Sequence, residues 1–74
     1  MLNGTIIRRV EKDENFLMLL FKFGEKKYGR TYTGSQYRNY PDWKDLKVGD
    51  LVGGLQWKDE KLGIIDADSP VHLV

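Results

Sequence analysis

The sequence predicts one small, mainly β domain over residues 1–74, a barrel of five short strands with one short helix between the third and the fourth. Three observations predict it. Stretches rich in β-branched and aromatic residues are separated by tight turns containing Gly and Asp. The apolar residues of the central stretch alternate in two sets, as the pleat of a strand requires. Seventy-four residues leave room for one core and no second domain, since a chain of this size buries only about 60% of its unfolded surface. With no cysteine to staple it, closed β-packing or oligomerisation has to supply the stability.

Leu2 to Val10 (LNGTIIRRV) is rich in β-branched side chains and too short for a stable solitary helix, so it reads as a first strand with Gly4 at a bend or bulge. Lys12-Asp13-Glu14-Asn15 supplies a polar turn. From Phe16 to Phe23, Leu17, Leu19, Phe21 and Phe23 fall on one side, and Phe16, Met18 and Leu20 on the other. The central apolar run also suits a helix; the flanking turn signals and the phenylalanines favour a strand covered on both faces. Gly24-Glu25-Lys26 is the next turn, and Lys27 to Thr33 (KYGRTYT) the third strand, with Gly29 at a close-packing or bulge position. These three strands form a meander.

After Gly34-Ser35 the period of two is lost. Tyr40-Pro41-Asp42-Trp43-Lys44-Asp45-Leu46 predicts one or two helical turns, because proline suits the first helical position and acids suit the first turn. Trp43 and Leu46, three apart, are expected to face the barrel together. Val48-Gly49-Asp50 leads into a fourth strand, Leu51 to Trp57, with Leu51, Leu55 and Trp57 expected on one side and Gly53-Gly54 allowing sharp coiling. Lys58-Asp59-Glu60-Lys61 connects it to a fifth strand from Leu62 to about Asp66. Ser69 to Val74 reads either as a last short strand or as an ordered tail.

Several function classes are disfavoured. The longest apolar run, Phe16 to Phe21, has six residues against the roughly 20 of a membrane helix, and the first residues lack a signal peptide's order. A soluble, cytoplasmic protein without a membrane partner is the expectation. Aromatic residues at 12% and charges at 31% argue against disorder. His72 is the only histidine, and no nucleophile, base and orienter or glycine-rich phosphate loop is visible. Asp59-Glu60 falls in an expected exposed turn, unsuited to acid–base work. Asp66 and Asp68 have a spacing seen in cation sites but lack the further ligands of a calcium loop, so a solvated turn is expected. The chain is therefore expected to be no enzyme, with no cofactor and no metal.

The net charge of +1 hides a division. Residues 1–40 carry eight basic and four acidic groups, +4; residues 41–74 carry four basic and seven acidic, −3. A phosphate backbone responds to local potential, so a basic face is compatible with nucleic acid, and equally with an acidic protein. The candidate site is Lys26-Lys27-Tyr28-Gly29-Arg30-Thr31-Tyr32, which on a strand sets Tyr28, Arg30 and Tyr32 on one face, with Lys22 on the preceding strand extending it. Alternating rings and cations suit a single strand of nucleic acid, whose bases stack while guanidinium holds phosphate. Both tyrosines also suit plain cross-strand packing. Tyr37-Arg38-Asn39-Tyr40 repeats the mixture and reads either as a ligand clasp, through Arg38 and Tyr40, or as a loop capping the barrel. Arg8 and Arg9 point to opposite faces of a regular strand, so at most one joins the patch. Trp43 is expected in the core, and Trp57 is left open between anchor and platform.

Two short stretches carry a resemblance. Leu2-Asn3-Gly4-Thr5-Ile6 resembles the opening strand of bacterial single-stranded-DNA-binding proteins and the primosomal replication protein, and Leu46-Lys47-Val48-Gly49-Asp50-Leu51-Val52 resembles the lead-in to the fourth strand of their oligonucleotide/oligosaccharide-binding (OB) barrel. Together they cover 12 of 74 residues. An SH3-like barrel is the competing architecture, with no helix in this position. The resemblance implies a groove across strands two and three, bordered by the loops between strands one and two and between four and five. The chain departs from that family in a short, charge-balanced loop after strand four, an acidic segment beyond it and two glycines in strand four. The expectation is single-stranded DNA or RNA bound through Lys22, Lys26, Lys27, Tyr28, Arg30, Tyr32, Arg38 and Tyr40. The alternative is a protein-interaction module that docks on a partner or on itself.

Overall fold

A computed structural model describes residues 2–13, 16–33, 45–69 and 71–74, with the side chains of Asp13 and Thr33 left aside. Seven strands are described: β1 (Leu2–Asp13), β2 (Phe16–Phe23), β3 (Lys27–Thr33), β4 (Leu51–Leu55), β5 (Trp57–Asp59), β6 (Ile64–Ile65) and β7 (His72–Leu73). They form one sheet in the order β5-β6-β3-β2-β1-β4-β7, curled into a half-barrel. β1, β2 and β3 are the expected antiparallel meander, and β4 returns by a long connection to lie beside β1. That order, 4-1-2-3, is a Greek key. β6 pairs in parallel with β3, and β5 antiparallel with β6. Because only Gln56 separates β4 from β5, two strands far apart in the hydrogen-bonding order are neighbours in the chain, which requires the sheet to curl.

Three expectations change. β1 continues past Val10 to Asp13, because its pairing with β2 persists through Glu11 with Leu17 and Asp13 with Phe16. The cross-strand partners outweigh the turn character of Lys12-Asp13. The fourth strand breaks at Gln56, and the fifth shrinks to Ile64–Ile65, so the described residues hold seven strands where five were expected. Leu51 is exposed while Val52 and Leu55 are fully buried, against the expected sharing of a side by Leu51 and Leu55. Gly54 at φ +82° breaks the alternation between them, a conformation that glycine adopts without strain. The expected helical turns over 40–46 fall largely on residues 40–44, which lie outside the described residues, as does Trp43.

The core follows the predicted alternation of β2. Leu17, Leu19 and Phe21 are fully buried and pack with Ile6, Leu46, Val52, Leu55, Ile65 and Val71. Phe23 continues the set at the margin, where Trp57 meets its ring at 5.2 Å between centroids. Gly4 and Gly29 admit this packing: a Cβ on Gly4 would sit 2.7 Å from the Phe23 ring, and one on Gly29 2.9 Å from Trp57 and 3.0 Å from Ile65. The 47–50 turn is stitched to β1 by Gly49 N donating to Ile6 O at 2.7 Å and Ile6 N donating to Asp50 O at 3.0 Å. No helix among the described residues is long and apolar enough to cross a membrane.

Candidate functional site

The site begins with the alternation of β3. Gly29 and Thr31 are buried, so Tyr28, Arg30 and Tyr32 stand on the outer face, with Tyr28 48% and Tyr32 51% exposed. Register carries this face across β2 and β1 in three rows. Tyr28 pairs with Lys22 and Lys22 with Thr5; Arg30 with Leu20 and Leu20 with Arg8; Tyr32 with Met18 and Met18 with Val10. Two arginines therefore flank Leu20, their backbones separated by about 10 Å, two strand spacings.

Arg8 owes its position to a β-bulge. Ile6 pairs with Phe21 and Arg8 with Leu20, which leaves Ile7 as the extra residue. An unbroken register would set Ile7 opposite Leu20 and turn Arg8 to the core side. Arg9 follows on the other face, opposite Leu19, where its guanidinium donates to Glu11 Oε2 at 2.9 Å.

Between the two arginines and onward along β2 the floor is apolar. Phe16, Met18 and Leu20 are half-buried along β2, and Phe16 and Tyr32 lie 6.0 Å apart between ring centroids, tilted by 44°. The Lys12 ammonium stands 5.5 Å from the Phe16 ring centre, within range of a cation–π attraction. Beside Arg30 opens a hollow of about 180 Å³ lined by Leu20, Tyr28, Gly29, Arg30, Leu62 and Gly63. Its far wall is the turn after β5, pinned by Leu62 N donating to Asp59 Oδ1 at 3.1 Å and by Arg30 N donating to Gly63 O at 2.8 Å. That turn presents Leu62, 65% exposed, at the rim. A second hollow, of about 200 Å³, adjoins Tyr32 and is bordered by Lys58, Asp66 and Asp68. That lining holds two acidic residues and one basic one.

The other named residues distribute unevenly. Lys22 is half-buried on the outer face, and Lys26 is exposed in the hairpin turn. Lys27 belongs to the opposite side of β3, where its ammonium sits 5.0 Å from the Trp57 ring centre and pairs with Glu60. Arg38 and Tyr40 lie outside the described residues.

No family model, curated protein or solved structure matches this chain. What the outer face can bind follows from its own groups. Guanidinium forks suit phosphate, and exposed phenol rings suit planar bases. Among the described residues no group of three His, Asp or Glu side chains is placed to hold a metal ion. Phe16 and Leu62 are members of this face that the sequence leaves unassigned, and Arg8 is the one of the Arg8–Arg9 pair that joins it. Leu62 carries a signal, being an apolar residue in a turn of charged ones; for Arg8 the strand period says only that one of Arg8 and Arg9 can join, and the bulge decides which.

Proposed function

We propose that the protein is a non-enzymatic binder of single-stranded nucleic acid, DNA or RNA, acting through the outer face of β1–β3 in a barrel of the OB type. One observation carries the reading: Tyr28, Arg30 and Tyr32 are exposed together on a face that also holds Arg8 and Lys22. Rings and cations alternate there over an apolar floor. Unpaired bases expose their flat faces to such a surface, whereas a duplex keeps them stacked inside. The Greek-key order supports the OB assignment, since that barrel is a Greek key that binds oligonucleotides on its second and third strands.

The test is a tyrosine-fluorescence titration with oligo-dT. Three cations, Arg8, Lys22 and Arg30, at about −0.7 each, give a log–log salt slope near −2, or about a twentyfold loss of affinity between about 50 and 200 mM salt. Absence of binding, or binding indifferent to salt, contradicts the proposal.

A second reading has its own support in Leu51, Leu73 and Val74, which are exposed near the carboxyl terminus, with Val74 N donating to Leu51 O at 3.0 Å. On that reading the domain docks on a protein or on itself. Sedimentation that gives a concentration-dependent dimer, together with no oligo-dT binding, favours it.

A further inference from the structure

We infer that the face accommodates a single strand of about three nucleotides lying along β3, and that the Asp66–Asp68 turn ends the site at Tyr32. The inference deepens the single-strand reading and rests on it. Tyr28 and Tyr32 are four residues apart on a regular strand, about 13 Å. A single strand spans that distance in two steps when drawn out to about twice the ~3.4 Å rise it has in a duplex. One base then lies on each tyrosine, and the middle nucleotide meets Arg30, whose guanidinium holds its phosphate or stacks on its ring.

The two ends differ. Beyond Tyr28 the chain enters the hairpin turn with the exposed Lys26, and Lys22 stands opposite Tyr28, so a backbone continuing that way meets cations as well as the exposed Glu25. Beyond Tyr32 the adjoining hollow is lined by two acidic residues, Asp66 and Asp68, and one basic residue, Lys58. The Asp66 carboxylate is held in place, its Oδ1 accepting the Asp68 backbone N–H at 3.0 Å. The phosphate that joins a fourth nucleotide on that side would be set against net negative charge, while the first three nucleotides keep every favourable contact.

The experiment is a length series, dT2, dT3, dT4, dT6 and dT12, titrated at low salt against the native chain and the Asp66→Asn/Asp68→Asn double variant. Asparagine keeps the oxygen that accepts the Asp68 N–H, so the turn is preserved. Affinity of the native chain should rise by about tenfold from dT2 to dT3, when the second tyrosine gains its base. Beyond that it should rise only in proportion to the number of placements, and the double variant should gain severalfold on dT6 and dT12 with a clearly smaller gain on dT3, from long-range charge alone. A native affinity that climbs by a constant factor per nucleotide to dT6 overturns the three-nucleotide site while leaving single-strand binding standing. A double variant that gains equally on dT3 overturns the role of the acidic turn. No binding at any length removes the single-strand reading itself, and the inference with it.

Discussion

Two aromatic–basic clusters lie on opposite sides of β3, and they differ in what their cations and rings are already doing. On the inner side, at the barrel margin, Lys27 sits over Trp57 and pairs with Glu60, while Trp57 packs on Phe23 above two glycines that leave room for the rings. On the outer side, Tyr28 and Tyr32 are about half exposed, and Arg30 stands between them across from Leu20 and Arg8. Lys27 and Tyr28 are adjacent in sequence and nearly alike in composition-based expectation. The pleat gives one to closure of the fold and the other to the surface, so residue type alone does not separate a structural anchor from a binding group.

The largest expected effect that separates the clusters comes from Gly29→Val. Its side chain would enter the space of Trp57 and Ile65, both about 3 Å from the nearest added atom, and overpacking of this kind costs about 1–3 kcal/mol, read from urea unfolding. Next is Tyr32→Ala, which should weaken oligo-dT binding about tenfold and shift the unfolding midpoint little, since the ring is half exposed. If Tyr32→Ala instead unfolds the domain, the ring belongs to packing and the distinction between the two sides fails. Arg8→Gln should lower the magnitude of the salt slope by slightly less than one while leaving stability within about 0.5 kcal/mol. The smallest effect on binding is that of Lys27→Ala: an exposed ion pair and an exposed cation–π contact each contribute up to about 1 kcal/mol, so stability should fall by no more than their sum, with oligo-dT affinity unchanged apart from a weak long-range charge term. A loss of affinity as large as that of Tyr32→Ala would move Lys27 into the binding face and merge the two clusters.

Much of the meander was legible. β2 and β3 run from Phe16 to Phe23 and from Lys27 to Thr33 as the alternation and turns predict, and the buried set Leu17, Leu19 and Phe21 is the one that the period of two selects. The outward direction of Tyr28, Arg30 and Tyr32 follows from the same period. Backbone irregularity was legible only in part: the bend or bulge expected at Gly4 falls at a register shift between Leu2 and Gly4 against β4, while other irregularities gave no such signal. The bulge at Ile7 aims Arg8 outward, and the positive φ of Gly54 turns both Val52 and Leu55 inward; each depends on partners distant in sequence. The engagement of Lys27 was hidden for the same reason, because Glu60 lies 33 residues away. Gly29, by contrast, was readable as a close-packing position, though not what would pack on it: Trp57 and Ile65 arrive from the second half of the chain.

The most direct measurement is a backbone amide NMR titration with dT3 at low salt, with the shifts mapped onto the sheet. The largest changes should fall on Arg8, Lys22, Tyr28, Arg30 and Tyr32, with the Trp57 indole N–H unmoved. Changes centred on Trp57 and Lys27, or none at saturating oligonucleotide, would contradict the assignment of the outer face as the binding surface.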